Sequence, residues 1–469
     1  MKGSEYHEIT AYQRSGLASG GRIRGGTPSF FKAYPTLPFY QLPKTPELPS
    51  CSLGDVLTGA TTLASNELNL SLLSIFFALT YGITATDRTG IYSFRAVPSA
   101  GALYPCEVYA WLGGFRDLPH GLYHYNVARH GLEQIATVDS NDAFFEAWIT
   151  AIPYRSAWKY RDRAFRYVLL DSGHIFEQAL VSAKVSGIMS KFKEANWTGT
   201  YGCRSETAIC QRLAVDPHHE RPVARVAFAP LPETAKIDYL TDKKELLSAS
   251  APANGADYGP VILNAINGTV GEVTIPITPN ISEKLPSLLF QNNAVQVILN
   301  RRSRRNFIKG SISADYFESY PKAFSRALPI KGLTVYFVVE RVDNYDEGVY
   351  ELWFDGTRPN LKLTGKGMFM SQLADACLHQ MWVSHASFAI VVLLNTEELE
   401  KTYGNAGYRV GMLCVGRIGQ LCYLLSEALG LGCCGVGAFY DYEVTRVIGL
   451  HGGMSAYVLA VGPVKKQVR

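Results

Sequence analysis

A single offset relates two distant parts of this chain. Lys159-Tyr160-Arg161-Asp162-Arg163-Ala164-Phe165-Arg166 lines up with Thr402-Tyr403-Gly404-Asn405-Ala406-Gly407-Tyr408-Arg409. The same register goes on to pair Gly173 with Gly416, Ile175 with Ile418 and Gly187 with Gly430. A second echo sets Gly121-Leu122-Tyr123 against Gly348-Val349-Tyr350. An internal repeat commits both parts to one kind of supersecondary structure, so it constrains the fold more than any local motif. Over residues 165–185 and 408–429, apolar residues recur at helical spacing without proline, which predicts two long helices buried on one side. Residues 108–112, 333–339, 388–394 and 456–461 are short apolar or β-branched runs that predict strands. The class is therefore α+β, each half carrying a small antiparallel or mixed sheet flanked by helices.

With 469 residues, 47% of them hydrophobic and 18% charged, the chain can bury two such units. The breaker-rich PANGADYGP at 252–260 is the natural place to divide it. The expected organisation is an N-terminal segment over 1–45, a first half over 46–230, a linker over 231–285 and a second half over 286–469. A net charge of +4, from 45 basic and 41 acidic residues, argues against nucleic acid as a partner. The opening MKGSEYHEIT is polar where a signal peptide needs an apolar core, and the longest apolar run, 388–394, is far too short to span a bilayer. No membrane partner and a cytoplasmic location are expected. Nine cysteines, an odd number in a long chain, read as reduced thiols. Cys203, Cys210, His218 and His219 lack the short paired gaps of a zinc set, so no metal is expected.

Three motifs stand out. Arg95-Ala96-Val97-Pro98-Ser99-Ala100-Gly101-Ala102-Leu103-Tyr104-Pro105 places small residues between prolines, where a backbone can approach a planar ligand closely. Read alone, it is more readily a turn leading into a strand. Arg301-Arg302-Ser303-Arg304-Arg305-Asn306-Phe307 could converge on a phosphate through charge-assisted hydrogen bonds, or form a solvated basic face. Gly430-Leu431-Gly432-Cys433-Cys434-Gly435-Val436-Gly437 contains a formal GxGxxG. A dinucleotide fingerprint must follow a strand and open a helix. Here a helix precedes the glycines and 436–440 reads as the strand, so a Rossmann site is rejected.

Together the motifs resemble the SagB/ThcOx-type dehydrogenases, a branch of the FMN-dependent nitroreductase superfamily that oxidises azoline rings in ribosomal peptides. The resemblance runs along nearly the whole chain. It takes in Tyr6-His7-Glu8, Phe31-Lys32-Ala33-Tyr34-Pro35, PSAGALYP, Gly121-Leu122-Tyr123-His124-Tyr125 and Trp158-Lys159-Tyr160, then RRSRRNF, ALGLGCCGVGAFYD and Leu459-Ala460-Val461-Gly462-Pro463. It implies one FMN phosphate clamp of Arg301, Ser303, Arg305 and Lys465. It also implies a ring loop of Pro98, Ser99, Ala100, Gly101 and Leu103, and a glycine strand with Gly435, Val436 and Gly437 approaching the flavin. Lys159 and Tyr160 match the family's proton-handling pair, with Arg155, Arg161 and Arg163 as charges that could lower the lysine's basicity.

Superfamily members are homodimers that build two FMN sites from both subunits, and this chain departs from that pattern. The stretch aligned with the clamp in the first half reads Thr58-Gly59-Ala60-Thr61-Thr62-Leu63, without a cation. The place of the ring loop in the second half reads Phe324-Ser325-Arg326-Ala327-Leu328-Pro329-Ile330, and the place of the glycine strand in the first reads Ile188-Met189-Ser190-Lys191. Two nitroreductase-like halves forming an intrachain pseudo-dimer would thus keep one FMN site. The resemblance implies azoline oxidation to thiazole or oxazole in a modified peptide, with cyclodehydratase subunits as partners. A general flavin oxidoreductase acting on a small molecule and a partly degenerate scaffold subunit are the alternatives, and further oligomerisation is left open.

Overall fold

The computed structural model describes the chain apart from residues 17–24, 61–66, 91, 193–197, 204, 233, 277–279, 451–452 and 466–469. Two sheets repeat one strand order. In the first, Gly131–Asp139, Gly121–Asn126, Cys106–Gly113, Phe144–Ala151, Arg221–Ala229 and Thr198–Cys203 lie side by side in that sequence. In the second, Arg358–Lys366, Gly348–Asp355, Leu333–Val339, Phe388–Leu394, Met454–Gly462 and Gly432–Val436 do the same. The strands that carry the Gly-x-Tyr echo hold the second place in each. The chain is α+β, built as two halves. The strand pairings within both sheets are antiparallel, and the sheets are larger than expected, with nine and six strands.

The predicted long helices are Ala164–Ser186 and Gly407–Ala428. They were expected to be buried on one side, yet every residue of the first is buried and only Glu427 of the second is not. The reason is the crossing between them. A Cβ placed on Gly173 would lie 2.2 Å from the Leu413 carbonyl oxygen, and one on Gly416 would lie 2.2 Å from that of Leu170. Leu170 and Leu413 stand at the same offset as the two glycines, so residue i meets j and j meets i, as at a two-fold interface. Glycine costs about 1 kcal/mol in a helix interior. The close approach gives these two positions their reason. Each helix thus packs its own sheet on one side and the other helix on the opposite side, and a single hydrophobic core runs through both halves.

The first turns of the halves obey the same symmetry. Arg166 Nε donates to Thr10 Oγ1 (2.9 Å) after the helix Gly3–Ile9, and its counterpart Arg409 Nε donates to Thr269 Oγ1 (3.0 Å) after Pro260–Gly268. The segment expected as a linker, 231–285, contains Lys236–Tyr239, Lys243–Ser248, Pro260–Gly268 and Gly271–Pro276. Two of these are strands of the first sheet. Gly271–Pro276 pairs along Thr198–Cys203, and Lys236–Tyr239 along Gly131–Asp139.

Two strand expectations change. The strand near GLGCCGVG is Gly432–Val436, so Gly432 and Gly435 lie in it and not before it. It still opens no βαβ unit, because it pairs antiparallel with Met454–Gly462. In the first half, a counterpart strand exists at Thr198–Cys203, beyond the 188–191 stretch where one was looked for. Of the stretch aligned with the clamp, Thr61, Thr62 and Leu63 lie outside the described residues. Among the described residues no helix is long and apolar enough to cross a membrane, and no group of three potential metal ligands converges.

Gly173→Val should destabilise the protein by about 1–3 kcal/mol or more in urea unfolding, through overpacking at the helix crossing. Gly365→Ala, where an added Cβ meets nothing within 4 Å, should stay within about 0.5 kcal/mol of the parent. Equal stability of the two variants would show that the helices do not cross at Gly173.

Candidate functional site

Where the halves meet, a cavity of about 220 Å³ is lined from both. The first half contributes Pro98 to Gly101 and Tyr160, and the second contributes Ser303, Arg305 and Gly435 to Gly437. Residues separated by more than a hundred positions in the sequence share one wall.

The loop carrying PSAGALYP runs from strand Ser93–Arg95 into strand Cys106–Gly113 through a backbone that few residues tolerate. Gly101, Ala102 and Tyr104 all have positive φ, at 65°, 57° and 46°. Left-handed conformations at non-glycine residues are costly, and they persist where the surroundings overdetermine them. Here the determinants are visible. Ser99 Oγ accepts from Tyr104 N (2.9 Å), and the Tyr104 hydroxyl accepts from Arg95 N (2.9 Å). From the other half, Arg301 Nε donates to Ala96 O (2.7 Å) and Nη2 to Arg95 O (3.1 Å). Arg301 is therefore buried as a brace between clamp and loop and does not line the cavity. Its Nη1 is a buried donor without a hydrogen-bond partner among the described residues. Leu103 is buried beneath the loop.

The clamp begins where helix Ala294–Asn300 ends, and it is laced to the glycine strand. Arg304 N donates to Cys433 O (2.9 Å), and the Ser303 and Tyr423 hydroxyls are 2.9 Å apart. Arg302 turns to Thr84 O (3.0 Å), so Arg305 is the clamp arginine on the cavity wall. Lys465 is exposed beside the clamp, its backbone N–H donating to Asn306 O (3.1 Å). The glycines of the strand answer to close approach. A Cβ on Gly435 would fall 1.9 Å from the Tyr457 hydroxyl, and one on Gly437 2.5 Å from Cε1 of Tyr167. Gly435 N–H, expected to meet a ligand, already donates to the Tyr423 hydroxyl (2.9 Å).

Helix Pro153–Tyr160 brings Lys159 and Tyr160 to the ring loop. A Cβ on Gly101 would be 2.5 Å from the Tyr160 hydroxyl and 3.0 Å from Lys159 Nζ. Tyr160 lines the cavity and Lys159 is exposed at its edge; Tyr403, the counterpart tyrosine, is not on this wall. Burial, with Asp171 and Tyr12 nearby, pushes the Tyr160 phenol up to about 12. Two of the three charges expected to act on Lys159 are engaged elsewhere. Arg155 pairs with buried Glu107 (2.6 Å) and Arg163 with buried Asp441 (2.8 Å).

Sequence reasoning missed Asp171 and His174, one turn apart on the Ala164–Ser186 helix and both on the cavity wall. The signal was an ionisable pair inside a helix otherwise rich in apolar residues. Asp171 accepts from Ser99 Oγ (2.6 Å) and from Ala100 N (3.4 Å), and burial raises its carboxyl to about 7. His174 Nδ1 faces Gln420 Oε1 (3.0 Å), and burial lowers its imidazole to about 3, so it is neutral.

The symmetry-related location is filled. At the offset of the repeat, His174 corresponds to Arg417 and Glu177 to Gln420. Arg417 Nε donates to Glu177 Oε2 (2.9 Å), Nη1 to the Tyr201 hydroxyl (2.9 Å) and Nη2 to Arg326 O (2.6 Å). Arg326 Nε closes the cluster on Glu177 Oε1 (2.7 Å). Arg326 comes from the segment that stands in place of the ring loop, and all four side chains are buried.

Residues 298–463, which span the clamp and the whole second sheet, match the Nitroreductase family. The second half therefore contains a nitroreductase-family domain. The chain is similar to a nitroreductase-like protein, MJ1384, of Methanocaldococcus jannaschii, at 29% identity over 37% of this chain and 90% of that protein. It is similar to the trifolitoxin-processing protein TfxB of Rhizobium leguminosarum bv. trifolii, at 27% identity over 34% of this chain and 50% of that protein. The crystal structure of a nitroreductase-like protein from Anabaena variabilis superposes with a TM-score of 0.72, at 21% identity and over 99% of each chain. The complete two-half architecture thus recurs in a solved structure.

A carboxyl held at about 7 when folded, against 3.8 ordinarily, makes the folded state bind this proton the more tightly. Its contribution to stability is full below about pH 4 and is lost as pH rises through about 7, a difference on the order of 4 kcal/mol. Asp171→Asn, which still accepts from Ser99, should therefore unfold at higher urea than the parent above neutral pH, with the gap closing toward about pH 4. A gap that does not change with pH would contradict the assignment.

Proposed function

We propose that the chain binds one FMN in the cavity between its halves and acts as a nitroreductase-like oxidoreductase that dehydrogenates azoline rings of a modified peptide to azoles. The observation that carries this reading is the composition of the cavity wall, with the ring loop from one half and the arginine clamp and glycine strand from the other. The residues fit the cofactor. Gly101, Gly435 and Gly437 border the cavity with backbone and let Tyr160, Tyr457 and Tyr167 close in behind them, Arg305 and Ser303 offer a cation and a hydroxyl for a phosphate, and Arg301 keeps a buried donor in reserve. Bound there, the isoalloxazine ring supplies the hydride acceptor.

The chain's own residues supply the rest. Arg305 neutralises the phosphate, with Ser303 donating beside it, and Lys465 adds charge from the rim. The strained backbone at Gly101 to Tyr104 holds the loop flat against the cavity, braced by Arg301. Removal of the proton next to the azoline carbonyl falls to the Lys159–Tyr160 pair, which meets the loop at Gly101. The raised phenol keeps its proton at neutral pH, so Tyr160 serves as the hydrogen-bond donor of the pair, with Lys159 Nζ beside it at Gly101.

The likeness to a trifolitoxin-processing protein supports a peptide substrate, and the motif resemblance adds cyclodehydratase partners that would deliver it. The likeness to MJ1384 favours the second reading, a flavin oxidoreductase acting on a small molecule. Incubation with an azoline-containing peptide separates the two. The first reading expects a mass loss of two hydrogen atoms per ring, abolished in Lys159→Ala with FMN still bound; an unchanged peptide mass contradicts it. Arg305→Ala should weaken FMN binding about 10–100-fold in a fluorescence titration, the value of one or two charge-assisted hydrogen bonds. Unchanged affinity would place the phosphate elsewhere.

A further inference from the structure

In this scheme the Asp171 carboxyl has no task, although it lines the cavity and is 5% exposed. Its surroundings are unusual for a buried acid. Tyr104 from the ring loop, Cys106 from the first sheet, Tyr160 from the short helix and Tyr457 from the second sheet all face it, and each is neutral at ordinary pH. His174, one turn along its own helix, is neutral as well. Ser99 Oγ–H and Ala100 N–H favour its charged form, and among the described residues no cation pairs with it, Arg305 sharing the cavity wall without an ion pair to it. A buried carboxylate without a cation is held at the edge of ionisation.

Ser99 is the link to the cavity. Its oxygen accepts from Tyr104 N, so its single proton is what it can direct. With Asp171 ionised, that proton points at the carboxylate (2.6 Å). With Asp171 protonated, the carboxyl can donate to Ser99 Oγ and the Ser99 proton is released to point into the cavity.

We propose that Asp171 takes up a proton when the bound flavin is reduced, and through Ser99 turns a hydroxyl donor toward the ring. The inference rests on the FMN site proposed above. The balance closes: two electrons and one proton enter the ring, either together as a substrate hydride or as electrons from dithionite with a proton from solvent, and a second proton passes from solvent to Asp171. The ring gains one negative charge and the carboxylate loses one, so the buried cavity keeps its net charge. Asp171 is a positioning residue in this account, acting on the ring through Ser99 and the local field. Its carboxyl, near 7 before any reduction, is available in both forms at physiological pH.

The test is the midpoint potential of the FMN-loaded full chain between about pH 5 and 9, whose slope counts protons taken up per electron pair. The parent protein should show a step of one additional proton as pH rises through neutrality, and Asp171→Asn should lack it. Ser99→Ala removes a hydrogen bond to the charged carboxyl and should move the step to higher pH, which decides the matter even if Asp171→Asn does not fold. A slope constant with pH in the parent, a step retained in Asp171→Asn, or a step unmoved in Ser99→Ala would each overturn the proposal. Failure of the flavin reading looks different, since no FMN would then travel with the protein through gel filtration.

Discussion

The contact between Gly173 and Gly416 is the constraint on which the rest of the structure depends. Two helices that meet backbone to backbone need glycine at the crossing, and the repeat supplies it at equivalent positions of each half. From that crossing the two sheets take up matching places on either side, and the first short helices reach Arg166 and Arg409 in matching ways. The burial of both long helices on every side follows from the same geometry. A side chain at the crossing would push the halves apart and open the core they share.

Symmetry at the crossing makes the asymmetry beside it informative. On one side of the pseudo-two-fold axis, His174 is neutral against Gln420 and the wall stays open to a ligand. On the other, the counterparts of that pair have become Arg417 and Glu177, and with Arg326 and Tyr201 they fill the corresponding interior. Gly271–Pro276 also covers the edge of the strand Thr198–Cys203, whereas Gly432–Val436 keeps an edge for the clamp. Removing one member of such a buried ionic cluster is strongly destabilising, so the filled side is fixed as structure.

Much of this was legible in the sequence. Leu333–Val339 and Phe388–Leu394 could be read to the residue, because central strands buried on both faces are continuous apolar runs. The ring loop, clamp and glycines were legible because their chemistry is written in residue types that have few other uses together. Thr198–Cys203 was missed because TGTYGC has neither an apolar run nor a clear alternation, and tertiary pairing with Arg221–Ala229 makes it a strand. The crossing strand Gly271–Pro276 was hidden in a segment whose glycines and prolines suggested a linker. Asp171 was missed because its meaning comes from what surrounds it: only packing shows that among the described residues no cation pairs with it. Arg301 was read for its charge, and only the structure reveals that its hydrogen bonds go to the backbone of the opposite half.

The central claim is that two halves of one chain make a single flavin site, one wall from each. The ratio of FMN to polypeptide in the purified, FMN-saturated protein tests it most directly. The account predicts one FMN per chain. Two would mean that the Arg417–Glu177–Arg326 side also binds, and none would remove the flavin altogether.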